Sequence, residues 1–212
     1  MRKLKFVREF LKHPTQVGAL AESSGFLARK MAQHIGDATN VVEFGPGTGS
    51  VTKEILRRLP EHGRLTCLEI NPKFCEHLKK INDRRLKVVN DDVRNYSRHI
   101  ENFDCILSSL PLGIFEKSQR NKIIALSGNA KTYVQFQYTP FLKPKLKRYF
   151  EDVEIKFVPF NFPPAFVYIS KNPRSKSQNL ETSKQKIKHS FPVKVAMQLA
   201  VLAANFWTSL IK

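Results

Sequence analysis

The chain has 212 residues, enough for about one domain with an appendage. Hydrophobic residues make up 42% and charged residues 25%. These values lie close to the globular average, which excludes general disorder and collagen, coiled-coil or polytopic membrane compositions. The 36 Lys and Arg against 18 Asp and Glu leave a net charge of +18. A field that positive seeks a polyanion, either nucleic acid or an anionic lipid surface. Cys67, Cys75 and Cys105 form no C-x-x-C pair and no Cys/His metal spacing. Reduced, buried thiols of a cytosolic protein are expected, and no metal site.

In chain order, Leu4, Val7, Phe10 and Leu11 recur at helical spacing among Arg2, Lys3, Lys5, Arg8 and Lys12. That pattern predicts a short basic amphipathic helix over 2–12. Its charges interrupt the apolar core that a secretory signal needs. Pro14 ends it, and Ser23-Ser24 offers an N-cap for a helix through Leu27, Met31 and Ile35. Strand-like runs follow at 40–44, 64–69, 86–89, 103–108 and 130–136, with helical patterns at 49–59, 72–81 and 117–127 between them. This alternation predicts a parallel sheet with helices on both faces. The runs at 153–159 and 165–169 have only Phe160-Asn161-Phe162-Pro163-Pro164 between them, so they should close the sheet as an antiparallel hairpin. The domain is expected over 1–169, with a polar, Lys-rich linker over 170–190. Residues 191–211 read as an apolar helix with Lys194, Gln198, Asn205 and Ser209 on one stripe. A docked core helix, an in-plane membrane helix and a single span all remain open for it.

The most informative segment is Val41-Val42-Glu43-Phe44-Gly45-Pro46-Gly47-Thr48-Gly49-Ser50. A strand runs into a glycine-rich turn and a helix follows. Glycines allow positive φ and close backbone approach to a ligand, and the helix start offers free N–H groups. The third glycine comes one position early for the dinucleotide fingerprint, and the lysine of a phosphate-binding P-loop is missing. The spacing E-x-G-x-G-x-G resembles the S-adenosylmethionine loop of class I methyltransferases, whose sheet also ends in an antiparallel hairpin. The resemblance implies a Rossmann-like α/β fold of seven strands. It places Glu43, Gly45, Gly47, Thr48 and Gly49 around the cofactor. Glu69, at the end of the second strand, would accept bonds from the ribose hydroxyls. Asp92, after the third, would accept from the adenine amino group. Ser24, Ile70, Val93 and Ser108 complete the expected cofactor set.

The fourth strand ends in Ser108-Ser109-Leu110-Pro111-Leu112. Methyltransferases of exocyclic base nitrogens carry Asn/Asp-x-Pro-Tyr/Phe here, an acceptor for the amino group and a ring to stack on the base. Ser109 and Leu112 replace both, which counts against nucleic acid as substrate. The chain resembles the bacterial phospholipid N-methyltransferases over about residues 5–169. Four segments carry the likeness: Pro14–Ala19 with Ser23-Ser24 and Leu27-Ala28; Glu43–Gly49; Ser109–Leu112; and Tyr133-Val134-Gln135-Phe136-Gln137-Tyr138-Thr139-Pro140. Asn161 with Pro163-Pro164-Ala165 also fits. Ser109 stands where that family has Gly, a change expected to narrow the active site, and Glu22 stands where it has Pro.

The resemblance implies methyl transfer from S-adenosylmethionine to the amine of phosphatidylethanolamine and its methylated derivatives, toward phosphatidylcholine, leaving S-adenosylhomocysteine. Tyr138, Gln135 and Ser109 are the expected catalytic set. Tyr138 would orient the amine or pass its proton to water, and Gln135 would fix the headgroup. Leu110, Leu112 and Phe115 are expected to line the acceptor site, with ring faces of Tyr138 or Phe115 holding a methylated ammonium. Lys143, Lys145, Lys147 and Arg148 are candidates for the lipid phosphate, and Phe6 and Phe10 for insertion into the bilayer. A peripheral enzyme on the cytoplasmic face of an anionic membrane follows, with no protein partner predicted. An rRNA adenine dimethylase-like activity and a membrane-binding protein with weak catalysis are the alternatives.

Overall fold

The computed structural model describes residues 25–161 and 164–175. The expected helix at 2–12 with Phe6 and Phe10, the cap Ser24, most of the linker and the helix at 191–211 lie outside the described residues.

Seven strands form one sheet: β1 Asn40–Phe44, β2 Arg64–Glu69, β3 Leu86–Asn90, β4 Cys105–Ser108, β5 Thr132–Gln137, β6 Phe150–Val158 and β7 Ala165–Pro173. Their order is β3-β2-β1-β4-β5-β7-β6. The first five pair in parallel, and β7 runs antiparallel between β5 and β6. This is the expected α/β architecture with its closing hairpin. β7 runs past residue 169 to Pro173, because Lys171 still pairs with Thr132 on one side and Asp152 on the other.

The helices are α1 Gly25–Ala32, α2 Ser50–Leu56, α3 Pro72–Leu78, α4 Lys117–Ser127 and α5 Lys143–Leu146, with a 3-10 turn at Val93–Arg98. Two apolar cores result, one on each face of the sheet. One joins Leu27 and Met31 of α1 to Val51 and Ile55 of α2, over Val41, Cys67, Val134 and Phe136. The other joins Tyr96, Ile123, Ile124 and Leu146 over Val42, Phe44, Ile106 and Tyr133. Helices on both faces explain why β1 and β4 carry near-continuous apolar runs. The edge strand β6 instead exposes Glu151, Asp152 and Glu154, charges that discourage pairing with another chain. The three cysteines are buried free thiols, as expected.

Strand order reverses between β1 and β4, the place where open α/β sheets bind ligands beyond the carboxyl ends of their strands. The glycine turn after β1, Glu69, the segment after β4 and the residues after β5 all reach that rim. The β6–β7 connection reaches it too, because Val158 pairs with Ala165 and Gln137 with Phe166.

Candidate active site

The turn after β1 is held open by backbone geometry. Gly45, Gly47 and Gly49 have φ of 67°, 55° and 83°, values that cost an L-residue about 1–2 kcal/mol. The three differ in what surrounds them. A Cβ on Gly45 would lie 2.7 Å from Leu110 Cδ2, and one on Gly49 would lie 2.8 Å from Leu78 Cδ2. A Cβ on Gly47 would meet nothing within 4 Å. Gly45 and Gly49 are therefore packed against the protein, and Gly47 presents backbone to open space.

Two buried carboxylates lie beneath this turn. Glu43 Oε2 accepts from Thr52 Oγ1 at 2.6 Å and from Cys67 Sγ at 3.4 Å. Its Oε1 is shut off from solvent and has no partner. Burial pushes the Glu43 carboxyl up to about 7, against the pull of the Thr52 and Cys67 bonds. Glu69 accepts from the Gly47 N–H at 3.1 Å and from the Asn71 N–H at 2.9 Å. Burial raises its pKa as well, and those backbone bonds oppose the shift. Two acids under a turn with exposed backbone make a seat for a cationic ligand with polar hydroxyls. The sulfonium nucleoside expected from the sequence fits these residues.

The remaining cofactor candidates stand around this seat. Ile70, 56% exposed, follows Glu69 directly. Asp92 caps the 3-10 turn by accepting from the Arg94 N–H at 2.8 Å, and Arg94 also pairs with both its carboxylate oxygens. That guanidinium holds Asp92 below the usual carboxylate range. Any adenine amino group would share Asp92 with Arg94. Val93 is buried next to it. Thr48 Oγ1 lies 3.5 Å from Ser50 Oγ.

Three of the sequence segments that carry the family resemblance converge on Leu110. Its side chain covers Gly45. Its carbonyl accepts from Gln135 Nε2 at 3.0 Å and from Gln137 Nε2 at 2.9 Å. Both amides also donate to the Phe136 carbonyl, at 2.7 Å and 2.6 Å. Tyr133 OH donates to Gln135 Oε1 at 2.5 Å. Ser108 is buried with its Oγ 3.4 Å from the Leu110 N–H. The Ser109 N–H donates to the Phe44 carbonyl at 3.0 Å, tying the end of β4 to the end of β1.

Two of the residues expected on the acceptor side are buried. Gln135 has no exposed surface, and its amide is spent on Tyr133, Leu110 and Phe136, so it positions Leu110 instead of reaching a headgroup. Leu112 is 1% exposed and, among the described residues, belongs to the core with Ile123 and Tyr133. Phe115 packs on that same core while partly exposed. Gln137 was not singled out from the sequence. Its alternation with Gln135 on β5 puts both side chains on one face, which was the available signal.

Tyr138 sits on the opposite face. It packs edge-on against Phe136 with ring centroids 5.5 Å apart, and its hydroxyl bonds with the buried side chain of Asn161, in the β6–β7 connection. Burial raises the Tyr138 phenol above its ordinary pKa. Within the expected catalytic set, then, Gln135 and Ser109 belong to the Leu110 cluster and Tyr138 to a separate pair with Asn161. The loop after β5 is pinned by Tyr168 of β7, whose hydroxyl donates to the Thr139 carbonyl at 2.6 Å and accepts from the Leu142 N–H at 3.1 Å. That pin presents Phe141 and leads into α5, with Lys143 and Lys145, and on to Arg148. Phe141 and Phe160, 49% and 73% exposed, stand on this rim.

Two shallow hollows, of about 380 and 230 Å³, open elsewhere, around Lys79–Leu86 and around Asp37, Asp104 and Lys131. Both lie at the amino ends of strands, away from the glycine turn. Among the described residues no group of His, Cys, Asp and Glu could hold a metal ion. No helix among them is long and apolar enough to cross a membrane.

A family model described as a methyltransferase domain matches residues 41–127. The ornithine lipid N-methyltransferase of Singulisphaera acidiphila is 35% identical over 180 residues, which cover 77% of this chain and 92% of that protein. Among solved structures, the chain is similar to the 1,6-didemethyltoxoflavin-N1-methyltransferase of Burkholderia thailandensis, with a TM-score of 0.61 and 14% identity over 81% of this chain and 87% of that one. It is also similar to the precorrin-6y C5,15-methyltransferase of Geobacter metallireducens, with a TM-score of 0.55 and 18% identity over 69% and 87%. These structural likenesses show the fold, and the lipid enzyme shows the kinship. The chain belongs to the class I S-adenosylmethionine-dependent methyltransferases, in the family of that lipid N-methyltransferase.

Proposed function

We propose that this methyltransferase acts on the amine of a membrane lipid, phosphatidylethanolamine and its methylated derivatives, at the cytoplasmic surface of an anionic membrane. The observation that carries the reading is the near full-length kinship with an enzyme named for a lipid amine. The same kinship favours a second substrate, ornithine lipid. Ser109 and Leu112, standing where base methyltransferases carry Asn or Asp and Tyr or Phe, support both over a base. Exposed Phe141 and Phe160, on a rim of a chain with net charge +18, suit a lipid boundary.

When bound, S-adenosylmethionine supplies an electrophilic methyl group on a sulfonium. Glu43 and Glu69 would face that cation with their carboxyls, Glu69 and the Gly47 backbone would hold the ribose, and Ile70, Val93 and Asp92 would hold the adenine. Ser24, Thr48 and Ser108 complete the cofactor side. Leu110, clamped by Gln135 and Gln137, separates the cofactor seat from the acceptor side and fixes the approach. An aliphatic amine is a strong nucleophile once neutral, so the chain needs to position it and accept its proton. Tyr138, held by Asn161, orients the amine and relays the proton to water. Ser109 borders the amine, and Phe115 offers a ring face to its methylated forms.

The test is methyl transfer from labelled cofactor into vesicles of phosphatidylethanolamine, vesicles of ornithine lipid, and an adenine-containing RNA. Transfer into either lipid and none into RNA is expected. Transfer into RNA alone overturns the reading.

A further inference from the structure

Lys117 and Arg120 stand in the first turn of α4, Lys145 in α5, and Arg148 just after it. These helices follow β4 and β5, which are neighbours in the sheet, so the four cations gather at the acceptor end of the fold. Lys145 is partly buried, and Arg120, Lys117 and Arg148 are close enough to disfavour its charge further. Among the described residues, no carboxylate pairs with any of the four. Arg120 Nε is closed off from solvent and has no acceptor. No side chain caps the start of α4. Grouped like charges repel, and a buried guanidinium N–H without an acceptor works against folding. One oxyanion placed among them relieves the repulsion, and guanidinium binds carboxylate or phosphate with paired bonds.

We propose that Arg120, with Lys117, Lys145 and Arg148, forms an oxyanion subsite that takes the acidic group of the acceptor lipid. It thereby selects amines carried on acidic headgroups. The inference rests on the lipid-amine reading above and adds α4 to the cations expected from the sequence. The oxyanion is a phosphate in phosphatidylethanolamine and a carboxylate in an ornithine headgroup.

Calorimetry with inorganic phosphate tests the subsite without any methyl transfer. The wild type should bind phosphate, and Arg120→Gln should bind it about tenfold more weakly, the loss expected for one charge-assisted hydrogen bond. Lys145→Gln guards against a folding artefact. Removing a partly buried repelled charge should raise the melting temperature while weakening phosphate binding. Vesicle assays then identify the source of the oxyanion. Arg120→Gln should raise KM for phosphatidylethanolamine or for ornithine lipid about tenfold, with turnover of octadecylamine in the same vesicles unchanged. No phosphate binding by the wild type, equal binding by the variants, or an equal loss on octadecylamine overturns the proposal. If the wild type methylates neither lipid, the lipid-amine reading falls, and phosphate calorimetry still judges the subsite.

Discussion

The two halves of the active rim are built from different materials. On the cofactor side, over β1 and β2, the shape comes from backbone: three positive-φ glycines and two buried acids that accept N–H, O–H or S–H bonds. On the acceptor side, over β4 and β5, the shape comes from side chains: two glutamines on one carbonyl, a tyrosine on an asparagine, and cations brought from two helices. The cofactor side carries two buried carboxyls, and the acceptor side carries cations with which, among the described residues, no carboxylate pairs. That polarity suits a cationic methyl donor facing an acidic headgroup. It also places Leu110 at the boundary, touching Gly45 with its side chain and the glutamines with its carbonyl.

The sharpest way to break this division is at the Leu110 carbonyl. Replacing Gln135 or Gln137 singly by Ala should cost about 1–2 kcal/mol, because the other amide still serves both carbonyls. The double replacement removes both side-chain donors from the Leu110 and Phe136 carbonyls, leaving Leu110 only its backbone bond from the Leu112 N–H, and should cost about 4 kcal/mol, more than the sum of the singles. Urea denaturation of the four proteins measures that coupling. Simple additivity would mean the two glutamines do not share the clamp.

Next in size is the contrast between two glycines. Gly45→Ala adds both backbone strain and a clash with Leu110, and cofactor affinity should fall about 100-fold. Gly47→Ala meets open space and adds strain alone, about 1–2 kcal/mol, so the fall should be about tenfold. Calorimetry with S-adenosylhomocysteine compares them, and equal losses would deny that Leu110 joins the two halves.

Glu43 gives a pH signature on the cofactor side. Its folded pKa, about 7, lies above its ordinary 4.5, so the native state holds the proton more tightly than the unfolded chain does. Stability from this group is present below 4.5 and is lost as pH rises through 7, about 3 kcal/mol in all. His34, lowered to about 4 chiefly by burial, slopes the other way between 4 and 6.5. Denaturation of wild type and Glu43→Gln at pH 5 and pH 8 isolates the Glu43 contribution as the difference between them, and the variant should keep only the fall from Glu69, whose pKa burial also raises. The smallest effect is expected at Tyr138. Tyr138→Phe should lower kcat about tenfold on a lipid amine, the size of one lost orienting hydrogen bond, and leave the dissociation constant for S-adenosylhomocysteine unchanged. A change in cofactor affinity would move Tyr138 out of the acceptor half.

The cofactor half was legible in the sequence because local rules write it. A positive φ demands glycine, so Glu43–Gly49 announced the turn. Glu69 and Asp92 could be named because the resemblance to class I methyltransferases points to an acid after the second and the third strand. The alternation of strands and helices yielded the parallel sheet, and the short Phe160–Pro164 connection yielded the antiparallel ending. The α5 turn and the 3-10 turn at Val93–Arg98 were not legible, since each is too short to show a period.

What the amino-acid order determined alone was the fold class, the glycine turn and the sign of the charge. Each follows from neighbouring residues through φ preference, period or simple count. Tertiary structure decided which polar groups were already committed. Only packing β4 against β5 brings the Leu110 carbonyl to both glutamines, removing Gln135 from the acceptor opening and burying Leu112. Only the approach of α4 to α5 places Arg120 beside Lys145. Hydrogen bonds and Coulomb energies depend on distances of a few ångströms between residues far apart in the chain, and those distances exist only after folding.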